Sequence, residues 1–217
     1  MHSPIFITGI GTDVGKTLVA AIVTEALEAD YWKPVQAGLE EGTDAMRVRS
    51  LLSNQRSQVH PELYRLTTPA SPHIAARIDQ VTIDIDSIAT AAKKIQAEKT
   101  PRQLIIEGAG GLLVPLSPQH TVADLIRTLQ AKLILVSRNY LGSINHSLLT
   151  AAWCRHNNIP VAGWIFTDDY LYYDDEIVGW SGYPSLGRIP HLSVINAATI
   201  REQAQRLKPV LTGTFAR

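Results

Sequence analysis

Cysteine is nearly absent. Cys154 stands alone among 217 residues, which excludes an intrachain disulfide and any multi-cysteine zinc or iron–sulfur site built within one chain. A reducing, cytoplasmic setting fits that usage. Net charge is missing as well: lysine plus arginine and aspartate plus glutamate each number 20. No overall field therefore favours nucleic acid or an anionic membrane surface, and a small ligand or another protein is the expected partner. Long apolar runs are lacking too. The opening MHSPIFITGIGTDVGKTLVAAIV has a leader's hydrophobicity but no basic start, and Asp13 and Lys16 interrupt it. Elsewhere nothing approaches the ~20 apolar residues that span a bilayer. With no repeat, low-complexity tract or charge block, the expectation is a soluble protein whose residues 1–217 form one compact domain. That length buries a substantial core without cross-links.

What is present is an alternation. Short β-branched runs at 5–8, 31–33, 104–107, 133–137, 161–166 and 186–189 alternate with segments of helical period at 16–28, 44–52, 85–98, 122–129, 144–156 and 195–207. Nearly continuous apolar strands suit a mostly parallel sheet with helices on both faces, linked by right-handed crossovers. In such an α/β fold ligands collect at the carboxyl ends of the strands, so the loops after Thr8, Lys33, Glu107, Ser137 and Phe166 are expected to converge. Two stretches are less regular and read as excursions: 55–78, punctuated by Pro61, Pro69 and Pro72, and the acidic, tyrosine-rich 167–182.

The segment IFITGIGTDVGKT passes from an apolar strand through three glycines into a helix. In that setting Gly-Lys-Thr reads as the phosphate-binding P-loop of nucleoside triphosphatases, here Gly9 to Thr17. Its spacing is irregular, because Gly9 lies six residues before Gly15 and Ile10 stands where the regular pattern has glycine. Backbone N–H groups and the helix N-terminus form an anion cradle. Lys16 adds a cation near the terminal phosphates, and the Thr17 hydroxyl can ligate magnesium. Further hard oxygens must come from neighbouring strand ends, and Asp44 and Glu107 are the candidates. Asp44 reads equally as a helix N-cap, and Glu107 as a solvated strand-end residue.

In order along the chain, TGIGTDVGKT, YWKPVQAG, Asp44, LTTPASPHIAA, IIEGAGGLLVPL, YLGSINHSLLTA, AGWIFTDD and LGRIP resemble the dethiobiotin synthetase family over nearly the whole length. The resemblance implies a P-loop NTPase-like, ATP-dependent ligase that closes a ureido ring on 7,8-diaminononanoate. Carbon dioxide becomes a carbamate, ATP phosphorylates it, and the second amine displaces phosphate. It further implies catalytic Lys33 and Lys16, and magnesium on Thr17, Asp44 and Glu107. ATP would meet Asp13, Val14, Gly15, Lys16, Thr17, Leu18, Asp44, Glu107, Gly108, Ala109 and Gly110, with its base end at Thr167, Asp168, Pro190, His191 and Leu192. The diamine would meet Thr12, Asp13, Lys33, Ala37 and Gly110. Its carboxylate would reach Ser143, Ile144 and Asn145 across a homodimer interface. From the residues alone, Lys33 reads as well as a solvated strand end before Pro34, and Ser143 and Asn145 as helix caps. His146 reads as structural.

The chain departs from the family at four places. Gly11 replaces an acidic residue, Ala37 a hydroxyl residue, and Ala197 an acidic residue, while Thr167 stands where asparagine commonly binds adenine. Threonine lacks the amide's paired donor and acceptor, so discrimination among nucleoside triphosphates is expected to be weakened, with base recognition left to backbone groups at 190–192. Two other readings compete. An amidotransferase-like synthetase of corrinoid carboxylates carries a glutaminase domain for which this chain has no room. An ATP-dependent dimerising switch of the partitioning or septum-positioning type carries an early loop lysine, and residues 10–14 contain none. No amphipathic membrane-targeting tail follows Leu207 either.

Overall fold

The computed structural model describes residues 3–40, 42–98 and 102–215; Met1 and His2 of the leader-like opening lie outside them. Seven strands form one parallel sheet. In chain order the elements are β1 (Ile5–Gly9), α1 (Lys16–Leu27), β2 (Asp30–Trp32), β3 (Val35–Ala37), α2 (Asp44–Leu51), β4 (Val59–His60), β5 (Tyr64–Leu66), α3 (Pro72–Ile78) and α4 (Ile85–Gln96). There follow β6 (Leu104–Gly111), α5 (Val122–Thr128), β7 (Lys132–Arg138), α6 (Ser143–His156), β8 (Val161–Thr167), α7 (Asp174–Ser181), β9 (Ser185–Ile189) and α8 (Ala197–Phe215). The sheet order is β4-β2-β6-β1-β7-β8-β9, and β3 pairs with β5 in a separate two-stranded sheet.

Period-two alternation sends side chains to two cores. Ile5 and Ile7 of β1 and Ile105 of β6 face α1, α2 and α8, whereas Phe6, Leu104 and Ile106 face α4, α5, α6 and α7. The doubly covered parallel sheet expected from the apolar runs is therefore present. Each excursion holds regular structure: β4, β5 and α3 lie within 55–78, and α7 lies within 167–182. β6 runs on to Gly111, which pairs with Gly9, because its glycines leave room for close packing; a Cβ on Gly108 would lie 2.7 Å from the Phe6 ring.

α8 begins two residues later and ends eight residues beyond the expected 195–207, continuing through Pro209 to Phe215. Proline removes one helical N–H and opposes continuation. Leu207, Leu211 and Phe215, spaced at i+4, nevertheless all bury in the α1 core, and that burial outweighs the local defect.

Cys154 is fully buried on α6, and burial pushes its thiol up to about 12. Near pH 8 the native thiol should react with an aromatic disulfide reagent at least ~10²-fold more slowly than the unfolded chain, since only thiolate reacts. Equal rates with and without denaturant would contradict this placement. Among the described residues no helix is long and apolar enough to cross a membrane.

Candidate active site at the carboxyl edge of the sheet

β1 is the hinge of the site. Flanked by β6 and β7, it delivers the loop to the carboxyl edge of the sheet, and Ile10 N–H donates to the Val136 carbonyl at 3.0 Å. Gly15 caps α1 with φ 88°, a left-handed conformation that glycine adopts without Cβ strain. Val14 turns its side chain into the core, so it offers a ligand only its backbone. Gly11 lies in open space, with nothing within 4 Å of a notional Cβ. Lys16 folds back on the loop, its Nζ donating to the Gly11 carbonyl at 2.7 Å. Burial pulls this ammonium below its ordinary value, although the Glu107 charge opposes the shift.

Beside Lys16, side chains from α1, α2, β6 and the segment after β2 meet. The Thr17 hydroxyl lies 2.8 Å from Glu107 Oε1 and 3.0 Å from Asp44 Oδ1. Lys33, just past β2, ion-pairs with Asp44 and lies 3.3 Å from Glu107 Oε1. Asp44 is free to do this because Thr43, not Asp44, caps α2 by accepting from Met46 N–H. The other Glu107 oxygen, Oε2, accepts from the Tyr31 hydroxyl at 2.8 Å. Burial alone would lower the Lys33 ammonium, but Glu107 and Asp44 outweigh it and raise the pKa. Burial alone would raise the Asp44 carboxyl, but Lys33 holds it below the ordinary range. Burial and then the Glu107 charge push the Tyr31 phenol well above its usual value. Lys33 is therefore a buried cation rather than a solvated strand end, and Glu107, 1% exposed, is a buried carboxylate.

The donor set fits a hard divalent cation. A hydroxyl has one hydrogen and can serve only one of the two carboxylates beside it, whereas its lone pairs and both carboxylates together suit magnesium. Among the described residues no group of three or more His, Cys, Asp or Glu could hold a metal. Two carboxylates and a hydroxyl match an ion that keeps several waters and binds few protein ligands.

A cleft of about 720 Å³ opens above this cluster. Of the residues anticipated from sequence it is lined by Thr12, Asp13, Gly15, Lys16, Thr17, Leu18, Lys33, Ala37, Asp44, Glu107, Ala109 and Gly110. Several walls carry residues not anticipated: Gln36, Arg47, Ser71 and Ile195. Gln36 accepts from Asp44 N–H at 3.3 Å and donates to the Ala37 and Gly38 carbonyls, tying β3 to the start of α2. Arg47 lies three residues after Asp44, one helical turn on, a spacing that could have flagged it. Ser71, from the TPASPH segment, lies 3.1 Å from His73 Nδ1.

The other anticipated residues lie outside that cleft. Thr167 is buried, donates to the Val14 carbonyl at 3.0 Å and packs on Gly15. Its side chain braces the phosphate loop, because β8 ends directly beneath it. Asp168 pairs with Arg138 at 3.0 Å, and its N–H donates to the Ile189 carbonyl. His191 N–H donates to Asp169, so Pro190, His191 and Leu192 belong to a loop tied to the end of β8. Ser143 is fully buried and its Oγ accepts from Tyr140 N–H at 3.4 Å, as a helix-start residue would; Ile144 packs on the core and Asn145 is exposed. His146 contacts the Tyr140 hydroxyl at 2.6 Å.

Known proteins match this chain at two levels, sequence and fold. A family profile described as "AAA domain" covers residues 3–199. ATP-dependent dethiobiotin synthetase BioD of Christiangramia forsetii is 43% identical over 209 residues, covering 96% of this chain and 97% of that protein. The synthetase of the same name from Cytophaga hutchinsonii is 54% identical over 161 residues, covering 74% and 75%. Solved structures share the fold at low identity. The septum site-determining protein MinD complexed with Mg-ADP, from Pyrococcus horikoshii, superposes with a TM-score of 0.55 at 15% identity, covering 99% of this chain and 93% of that one. A ParA family ATPase from Chlorobium tepidum gives 0.56 at 15%, covering 97% and 92%. The likeness to these two shows the fold and nothing of their roles, whereas the Christiangramia forsetii synthetase aligns with 96% of the chain; the chain is a member of the ATP-dependent dethiobiotin synthetase family.

Proposed function

We propose that this enzyme converts 7,8-diaminononanoate, carbon dioxide and ATP into dethiobiotin, ADP and phosphate. The observation that carries the reading is one cleft holding Lys16 and Lys33 against the Thr17, Asp44 and Glu107 oxygens. A neutral amine of the diamine attacks carbon dioxide and loses a proton to give a carbamate. A carbamate oxygen then attacks the γ-phosphorus, releasing ADP and leaving a carbamic–phosphoric anhydride. The second amine attacks the carbonyl carbon, phosphate departs, and the ureido ring closes.

Both the carbamate and the phosphates are anionic, so positioning and cationic compensation dominate the barrier. Lys33 faces the carbamate, and its raised pKa keeps it charged. Lys16 leaves the Gly11 carbonyl to meet the γ-phosphate. The same cations favour the neutral form of the attacking amine. When bound, magnesium on Thr17, Asp44 and Glu107 supplies charge neutralisation at phosphate oxygens. The enzyme acts as a homodimer in this reading, with the substrate carboxylate at the start of a partner's α6. Leu141, just before α6, and Leu149, midway along it, are 81% and 62% exposed and give a second copy an apolar surface to cover.

Incubation of purified protein with diamine, bicarbonate, magnesium and ATP should yield dethiobiotin by mass. Phosphate release without diamine, and no such product, would favour a nucleotide switch. With its hydroxyl committed to Val14, Thr167 has no amide to offer a base, so kcat/KM for GTP and CTP should fall within ~10²-fold of that for ATP. A site built to hydrogen-bond one base would instead discriminate ~10⁴-fold or more, and that result would defeat the assignment.

A further inference from the structure

Tyr31 stands two residues before Lys33, and Tyr31, unlike its neighbour Trp32, belongs to the core on the α1 side of the sheet. β2 pairs with β6 in the register Tyr31 to Ile105 and Trp32 to Ile106. Glu107 therefore lies one step beyond the paired residues, on the same face as Ile105 and diagonal to Tyr31, within reach of a long side chain. The phenol is 0% exposed. A hydroxyl placed in an apolar core costs stability unless it is bonded, and this one spends its bond on Glu107 Oε2 at 2.8 Å. The opposite oxygen, Oε1, faces Thr17 at 2.8 Å and Lys33 at 3.3 Å. The terminal torsion of a glutamate is soft and broadly populated. A donor fixed on one oxygen removes that freedom and aims the other oxygen into the cleft.

We infer that Tyr31 is a positioning residue: its hydroxyl locks the Glu107 carboxylate so that Oε1 is presented to Lys33 and to the divalent cation. The inference rests on the magnesium reading of the site given above. Glu107 is thus the rigid member of the donor set, and Asp44, on a helix start with a side chain 27% exposed, the adaptable one. Partners that orient a metal ligand through its other hydrogen-bonding atom change metal affinity or activity by ~10–100-fold when removed.

Tyr31→Phe keeps the ring and removes the oxygen. Calorimetric titration with a non-hydrolysable ATP analogue, once with a chelator and once with magnesium, gives the affinity gained on adding the metal. In the variant that gain should shrink ~10-fold, while affinity in chelator and the KM for diamine stay within about twofold and kcat falls. In a Glu107→Gln background the same substitution should add nothing further, because the oriented group has gone. An unchanged magnesium-linked gain, an effect that persists in the Glu107→Gln background, or loss of native near-ultraviolet dichroism would overturn the inference and leave the hydroxyl a structural element. Wild-type protein without any magnesium-linked gain would overturn the metal reading itself and this inference with it; the wild-type titration tells the two failures apart.

Discussion

Replacing Lys33 by alanine should reduce dethiobiotin formation by at least ~10³-fold and also lower the stability of the nucleotide-free protein by ~3–5 kcal/mol, in the range found when one partner of a buried ion pair is removed. The catalytic loss follows from the proposed function, in which Lys33 is the cation that would face the carbamate, so that its removal leaves transition-state charge uncompensated. The stability loss follows from geometry: Lys33 ion-pairs with Asp44 and approaches Glu107, and its side chain is only 8% exposed. Without it, two carboxylates face each other across the Thr17 hydroxyl. Magnesium should restore part of that stability, because a divalent cation replaces the lost charge. Single-turnover product formation and denaturant melts with and without magnesium measure both effects. Turnover near wild type, or a variant as stable as wild type without magnesium, would refute this account. The pH range follows from the directions of shift. Asp44 is depressed, so its contribution is present above the ordinary carboxylate range and is lost only as pH falls through its lower folded value. Lys33 is raised, so its contribution is complete below the ordinary lysine value and disappears as pH rises through its higher folded value. Across the neutral range the pair's contribution should be flat.

Lys16→Ala should lower kcat by ~10²–10³-fold, the usual cost of losing one oriented donor to developing charge. In the structure this lysine also holds its own loop through the Gly11 carbonyl. Its removal deletes this internal tie together with the phosphate contact proposed for it, and ATP affinity should weaken together with kcat. Lys16→Arg should not rescue activity, since a planar fork cannot replace a compact ammonium in this buried position. Phosphate-release kinetics and ATP titration check both variants; an arginine variant with full activity would show that charge alone suffices.

Much of this is legible in the sequence. Gly15, Lys16 and Thr17 announce a phosphate loop through local geometry alone, and the apolar strands declare a covered parallel sheet. Asp44 and Glu107 could be nominated by residue type and strand-end position, but their approach to Thr17 is a property of sheet order, which places β6 between β1 and β2. Tyr31 was hidden for the same reason. A tyrosine in an apolar strand looks like core until the neighbouring strand's register is known. Thr167 was read as a base contact from its place in the family pattern, whereas the structure sets its hydroxyl on Val14, a decision made by packing between β8 and the loop. The run of α8 past 207 was hidden because it depends on the long-range burial of Leu211 and Phe215.

Gly11 carries a different kind of consequence. Its carbonyl is gripped by Lys16, yet the direction a side chain would take is open space. The loop thus has an addressable socket: a position, one residue before the cleft-lining Thr12, where a new functional group can be grafted without rebuilding the loop. In a loop otherwise constrained by close packing at Gly9 and Gly15, that makes residue 11 the natural handle for adding a side chain without strain on its neighbours.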